Sequence, residues 1–363
     1  MKQPIPSSIR LRKEDHARLG LNPARVELWE DGMRTDGGRG SYEWWYFDSH
    51  LDDGGKLVIV FLTKSFVIPN RPLTPTVTLQ YDAPGGTHYE ELLTFPSAQF
   101  FASRERCDVR MGENVFSGDL HSYTIHLCGK QIRADVTLTG RVPAWRPGTG
   151  QIFFGEHDEH FFAWLPSVPE GSVTGELVIN GQQKRIAGTG YHDHNWGDVS
   201  MLRLMNHWYW GRAKIGGYTV ISSFITAEEK YGYKTFPVFL LAKDGVKVAE
   251  SSLDSPAFFQ REEHLDDLTK KPVHNELVYD FASGNERYVV TYIREKDILR
   301  TRFADTLPPP ARLLAKLVGF SGAYLRFTGT ASLEHFVGGE LVERVSDPAI
   351  WELMYFGRTQ KEV

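Results

Sequence analysis

Short runs of alternating or β-branched residues, each closed by a turn signal, recur along the whole chain and constrain its fold more than any other feature. Leu57–Thr63, Thr76–Tyr81, Ser122–Leu127, Ala134–Thr139, Gly175–Ile179, Tyr218–Thr226, Val238–Ala242, Tyr288–Ile293 and Leu325–Thr330 all have this pattern. Period-2 alternation places one set of side chains on a buried face, which an amphipathic helix cannot do with the same spacing. The intervening turns include Asp53-Gly54-Gly55, Asn180-Gly181, Asp244-Gly245 and Gly338-Gly339, dipeptides that supply the positive φ of tight hairpins. The composition agrees, with nine Trp, 15 Tyr and 22 Phe set beside 34 Gly and 19 Pro. An all-β fold follows. The one clear helical stretch is 308–320, where three prolines precede the stripe Leu313, Leu314, Leu317 and Val318; it reads as a helix over a barrel end, with a lid or a membrane-surface contact as the other reading.

The two halves echo each other. Turn glycines near 55, 86, 129 and 181 are answered by others near 217, 245, 284 and 339. Trp44-Trp45-Tyr46 precedes the first of these turns and Trp208-Tyr209-Trp210 its counterpart, while Phe100-Phe101 with Arg104-Glu105 is matched by Phe258-Phe259 with Arg261-Glu262. An internal duplication explains the order of these landmarks, and it predicts two β-domains, 1–200 and 201–363.

With 41 basic and 46 acidic residues among 363, the net charge of −5 argues against a general nucleic-acid binder. The longest apolar run, Leu57–Leu62, is far shorter than a membrane-spanning helix needs. The opening stretch from Met1 to Gly20 is polar and charged and lacks the apolar core of a signal peptide. The only cysteines are Cys107 and Cys128, which fits a cytoplasmic setting and offers no disulfide scaffold, thiolate zinc site or iron–sulfur cluster. No phosphate-binding glycine loop, dinucleotide fingerprint or nucleophile elbow occurs, so no cofactor is expected.

Two stretches carry candidate chemistry. In Ser41-Tyr42-Glu43-Trp44-Trp45-Tyr46-Phe47-Asp48, an extended chain puts Glu43, Trp45 and Phe47 on one face and Trp44, Tyr46 and Asp48 on the other. A carboxyl buried among such aromatics can stay protonated and donate a proton; equally, the aromatics can be core and the acids paired. In Gly188-Thr189-Gly190-Tyr191-His192-Asp193-His194-Asn195-Trp196-Gly197-Asp198, His192, His194 and Trp196 share a face opposite Tyr191, Asp193 and Asn195. Imidazole beside indole suits proton transfer on an apolar substrate. Two histidines two apart can also ligate a metal, but a third donor would have to come from elsewhere and neither cysteine lies near in sequence; no metal is therefore expected. Glu156-His157-Asp158-Glu159-His160 reads as a polar connection between strands.

These motifs carry a resemblance. Tyr42-Glu43-Trp44-Trp45-Tyr46-Phe47-Asp48, then Trp164-Leu165-Pro166, then Gly190-Tyr191-His192-Asp193-His194-Asn195-Trp196-Gly197 resemble the carotenoid 1,2-hydratase (hydroxyneurosporene synthase) and AttH-like family, which also holds fungal kievitone hydratase and Diels–Alderases. The resemblance implies two lipocalin-like antiparallel β-barrels, a hydrophobic small-molecule substrate and no redox or nucleotide cofactor. It maps the hydratases' His-x-Trp pair onto His194 and Trp196. The acid expected on the next hairpin is missing, because Tyr218–Thr226 contains no carboxylate and the next is Glu228. The sequence thus predicts an enzyme acting at carbon–carbon double bonds of a polyene, isoprenoid or polyketide by hydration, isomerisation or cyclisation. Glu43, Asp193, His194 and Trp196 are its expected catalytic residues; Trp44, Trp45, Tyr46, His192, Trp208 and Trp210 are expected to bind substrate. A Diels–Alder-type cyclase working by preorganisation and a lipocalin-like carrier are the alternatives.

Overall fold

The computed structural model describes residues 3–251, 256–306 and 321–357; the helix expected at 308–320 lies outside them. The regular structure of the described chain is almost entirely antiparallel strand, and every strand anticipated from alternation is present. It divides into two compact units. One comprises Ile9–Phe153 and Asp158–Ser200; the other takes in the described residues from Met201 onward, Phe154–His157 and the segment ending at Ser8. Among the described residues, no helix is long and apolar enough to cross a membrane.

Each unit is a meander whose first long strand pairs with its last. In the first unit Tyr42–Leu51 lies between Lys56–Leu62 and Gln182–Gly197, and the strands run outward from this closing pair to His88–Thr94 on one side and Phe100–Ala102 on the other. In the second unit Met205–Ile215 lies between Tyr218–Ala227 and Glu340–Tyr355, and the sheet runs out to Val246–Glu250 and Ala257–Leu265. The repeated aromatic triplets therefore sit on topologically equivalent opening strands. The second Phe-Phe echo falls likewise on the strand that resumes each meander after its fourth strand. Two lipocalin-like antiparallel sheets are the fold class the sequence predicted.

Alternation fills each interior separately. Inward residues of the first unit, among them Trp45, Phe47, Ile59, Phe61, Phe116 and Val136, form one apolar cluster; Tyr209, Val220, Leu241, Tyr292, Phe327 and Trp351 belong to the other. The closing pair of the first unit is tight at Gly188, where an added Cβ would stand 2.2 Å from the His50 carbonyl oxygen and 2.8 Å from Leu51 Cα. Both obstacles are backbone and cannot swing aside.

Two outcomes follow. Gly188→Ala should destabilise the chain by about 1–3 kcal/mol through overpacking of two strands, read from urea unfolding midpoints. In the second unit, burial chiefly, with the nearby charges of His274 and Lys271, lowers the pKa of His207 from 6.5 to about 4. Its ring nitrogens meet Asn206 Oδ1 at 2.9 Å and Thr226 Oγ1 at 3.2 Å. The unfolded chain binds the proton below pH 6.5 and the folded chain only near pH 4, so stability is complete above the first value and falls with pH towards the second. His207→Asn should flatten this limb, worth at most about 3 kcal/mol, in chemical denaturation measured across that range.

Candidate functional site

Cross-strand register assembles the centre of the first unit. Glu43 opposes Trp196, Trp45 opposes His194 and Phe47 opposes His192. Directly paired residues of antiparallel strands share a face, so the alternation read in each motif becomes one inward patch of Glu43, Trp45, Phe47, His192, His194 and Trp196. Glu43, His192 and His194 are wholly buried.

Hydrogen bonds satisfy this patch. Glu43 accepts from the Arg34 and Thr35 backbone N–H groups at 2.6 and 3.0 Å, from Thr35 Oγ1 at 2.8 Å and from His194 Nε2 at 2.8 Å. His192 donates through Nδ1 to the Tyr46 carbonyl at 2.8 Å, and its Nε2 lies 3.3 Å from Asp31 Oδ2. The His194 ring is packed between Trp45, 4.7 Å away and nearly parallel, and Trp196, also at 4.7 Å.

The hub is Asp31, which sequence reasoning missed. It ends a short 3-10 turn, Leu28–Asp31, shortly before the first motif and far along the chain from the second. Its carboxylate accepts from the Tyr123 hydroxyl and from Ser167 Oγ at 2.9 Å, and its backbone carbonyl accepts from Trp45 Nε1 at 3.1 Å. Ser167 reaches it because the His160–Ile179 strand shifts register between Pro166 and Val168, a bulge that re-aims the extra residue. Burial pushes the Asp31 carboxyl up, but His192, His194 and Tyr123 outweigh burial and leave it below its ordinary value. Cys107 also enters this centre. One donor atom each from Asp31, Cys107 and His192 lies within 4.8 Å of the others, although the cysteine is remote from the histidine motif along the chain. Nothing local in the sequence marks Asp31, Cys107, Tyr123 or Ser167, because only the closed sheet brings them together.

The opposite face of the Gln182–Gly197 strand carries Asp193. It accepts from Tyr191 Oη and Trp164 Nε1 at 2.8 Å each and from Asn195 Nδ2 at 2.7 Å. Burial raises its pKa to about 7, against the pull of these three donors.

A cavity of about 310 Å³ opens beside these groups, walled by Trp29, Phe153, Phe161, Trp164, Leu165 and Trp196. Its polar lining includes the buried ion pair of Glu30 and Arg146 at 3.2 Å, and Arg34, whose guanidinium stands 4.9 Å over the Trp29 ring. Thr149 also lines it, and the buried Thr149 hydroxyl has no hydrogen-bond partner among the described residues. Of the expected residues, only Trp196 borders this cavity. Glu43 and His194 lie behind Trp196, and Asp193 lies behind Trp164. Trp44 packs with Tyr42, Phe66 and Phe162, Tyr46 meets Tyr191 edge-on, and Trp208 and Trp210 stand on the opening strand of the second unit. In the third histidine cluster, His160 Nδ1 pairs with Asp198 Oδ2 at 3.4 Å.

Fold and site together define a lipocalin-like β-protein with an aromatic cavity backed by a sealed acid–imidazole network. Residues 118–269 match the family model described as Diels-Alderase-like. The chain is 22% identical, over 83% of its length and 84% of the relative's, to the quinolone epoxide rearrangement protein asqO of Emericella nidulans. It is 26% identical, over 48% of its length and 53% of the relative's, to a hydroxyneurosporene dehydrogenase of Chlorobaculum tepidum. Among solved structures, CghA matches with a TM-score of 0.61 at 12% identity, covering 92% of this chain and 97% of that one. Kievitone hydratase from Nectria haematococca matches with a TM-score of 0.54 at 12% identity, covering 91% and 92%. The resemblance carried by the two motifs is borne out: the chain is similar to Diels-Alderase-like and hydroxyneurosporene proteins.

Removing the charge of Glu43 while keeping its shape tests how much this network holds. Glu43→Gln should cost about 3–5 kcal/mol, as for a buried pair that loses one partner, and Tyr123→Phe about 1.5–3 kcal/mol for one donor to a charged group. Guanidinium unfolding midpoints give both values.

Proposed function

We propose that the protein is an enzyme that folds a hydrophobic polyene, isoprenoid or polyketide into its aromatic cavity and promotes cyclisation or isomerisation at carbon–carbon double bonds, without a redox or nucleotide cofactor. The observation that carries this reading is the cavity itself. Its size suits a compact small molecule, and Trp164 and Trp196 are held from behind by hydrogen-bonded or stacked groups, so the walls are stiff. Stiff apolar walls favour catalysis by selecting a near-attack conformer, which lowers the barrier through orientation. Within the cavity's polar lining, Arg34 and the Thr149 hydroxyl are the donors such a reaction profits from, giving a hydrogen bond to a carbonyl or other oxygen as charge develops on it. Glu43, Asp193 and His194 are positioning residues in this reading, since each stands behind an indole. The names of the relatives, which speak of Diels–Alder reaction, epoxide rearrangement and hydration, support a reaction of this class.

Hydration remains the second reading, favoured by the kievitone hydratase likeness and by the His194-Asn195-Trp196 motif. It requires a proton donor at the substrate, and none of the three predicted acid–base residues lines the cavity. A carrier would use the same walls, and the unpartnered Thr149 hydroxyl favours the enzyme over it.

Incubation with linear polyenes bearing an activated alkene and with acyclic isoprenoids, followed by liquid chromatography and mass spectrometry, tests the proposal. A product of unchanged mass and altered retention is expected. Trp196→Ala and Thr149→Val should each lower kcat/KM by about 10–100-fold, the loss of a few kcal/mol at the transition state. Stoichiometric retention of unaltered lipid with no turnover would establish the carrier instead, and a product heavier by one water would establish the hydratase.

A further inference from the structure

The polar centre of the first unit has an arrangement that its own hydrogen bonds leave incomplete. The Tyr46 carbonyl can only accept, so His192 Nδ1 holds a proton and its Nε2 is the nitrogen that faces Asp31 Oδ2 at 3.3 Å. Glu43, already accepting from three donors, takes a fourth proton from His194 Nε2 at 2.8 Å. That leaves His194 Nδ1 facing Asp31 Oδ1 at 3.6 Å, buried and without a hydrogen-bond partner among the described residues. Both remaining ring nitrogens thus converge on one carboxylate. Each contact turns favourable when a cation lies in it, either a proton on the ring nitrogen or a metal ion shared among the donors.

The surrounding atoms have the character of a metal shell. Histidines that ligate a metal are fixed by a hydrogen bond from the other ring nitrogen to a carbonyl or carboxylate, as Tyr46 and Glu43 do here. Cys107 Sγ stands within 4.8 Å of the Asp31 and His192 donor atoms; its only described partner is the Phe116 carbonyl at 3.6 Å, a weak thiol contact. Two imidazoles, a carboxylate and a thiolate suit tetrahedral Zn²⁺ better than Mg²⁺ or Ca²⁺. Asp31, Cys107, His192 and His194 are all buried, which describes a closed structural site rather than an open catalytic one.

We propose that Asp31, Cys107 and His192, whose donor atoms already lie within 4.8 Å of one another, form a structural zinc site in the core of the first unit, completed by His194 Nδ1 closing on the ion from its place 3.6 Å from Asp31, with Tyr46 and Glu43 orienting the two imidazoles. Binding replaces the Cys107 thiol proton, which leaves to solvent, by the metal. The ion ties the Leu28–Asp31 turn and the segment before Asp108–Met111 to the Gln182–Gly197 strand. It also fixes His194 beneath Trp196. The proposal reverses the sequence expectation of no metal, and for a definite reason: the two missing donors, Asp31 and Cys107, come from distant parts of the chain that only the folded sheet brings to the histidines.

The test reads metal content, so it succeeds or fails independently of any turnover. Full-length protein expressed with zinc in the medium and dialysed against EDTA should retain about one zinc per chain by elemental analysis, since a buried ion exchanges only through unfolding. After unfolding in guanidinium with chelator, refolding with Co²⁺ should give a thiolate-to-cobalt charge-transfer band that Cys107→Ser lacks. Glu43→Gln should weaken zinc binding about 10–100-fold. Wild-type protein that carries no zinc, and gains neither metal nor the cobalt band on refolding, overturns the proposal. Unchanged zinc content in Cys107→Ser overturns the assignment of that ligand set. If the variants do not fold, the wild-type measurements alone decide.

Discussion

A buried carboxylate that must be satisfied organises the first unit. Asp31 lies in the sheet interior, where an unpaired charge costs several kcal/mol, and its four partners come from three separate strands: Tyr123, Ser167, and the pair His192 and His194. Each requirement fixes a backbone feature. Ser167 needs the strand bulge between Pro166 and Val168, Tyr123 needs its strand in register with the opposite wall, and the histidines need the Gln182–Gly197 strand to present that face inward. Networks of this kind are stringent because a partly satisfied one is worse than an apolar core. The unit is specified from its centre outward.

The same stringency reaches the cavity through aromatic rings. His194 is clamped between Trp45 and Trp196, and Trp196 is a cavity wall. On the other face of that strand, Asp193 holds the Trp164 indole nitrogen, and Trp164 is a second wall. One strand therefore controls two aromatic surfaces by using both of its faces, with an acid anchoring each. A motif so dense in His, Asp and Asn reads naturally as catalytic machinery, and in the folded chain His194 packs on the Trp196 indole while Asp193 accepts from the Trp164 indole.

The sheet architecture was legible because alternation and turn residues are local signals. Leu57–Thr63 and Thr76–Tyr81 declare themselves as strands within a short window, and the matching triplets Trp44-Trp45-Tyr46 and Trp208-Tyr209-Trp210 reveal the repeated topology. The face assignments in both motifs were legible for the same reason: a period of two leaves no freedom once the chain is extended. What the sequence hides is everything that depends on sheet closure. Asp31 sits in a short 3-10 turn with no periodicity, Cys107 looks isolated, and Thr149 lies in a Gly-rich connection. Trp208 and Trp210 echo Trp44 and Trp45 because the opening strand of the meander recurs in the second unit. Chemical character was visible; adjacency was not.

The pairing of the first long strand with the last has a consequence in time. His194 and Glu43 meet across a sequence separation of 151, so the chain must wait for the Gln182–Gly197 strand before the Tyr42–Leu51 strand acquires its second neighbour. At ribosomal speeds of about 5–20 residues per second, that wait is on the order of 8–30 s. During it, the Tyr42–Leu51 strand presents an unpaired edge rich in Trp, Tyr and Phe, together with a buried-type glutamate that has not yet met its histidine. Long-range closure of this kind is slow by nature. The nascent protein is consequently most vulnerable to misassociation midway through its synthesis, when its most aromatic strand is complete and its partner has not been made.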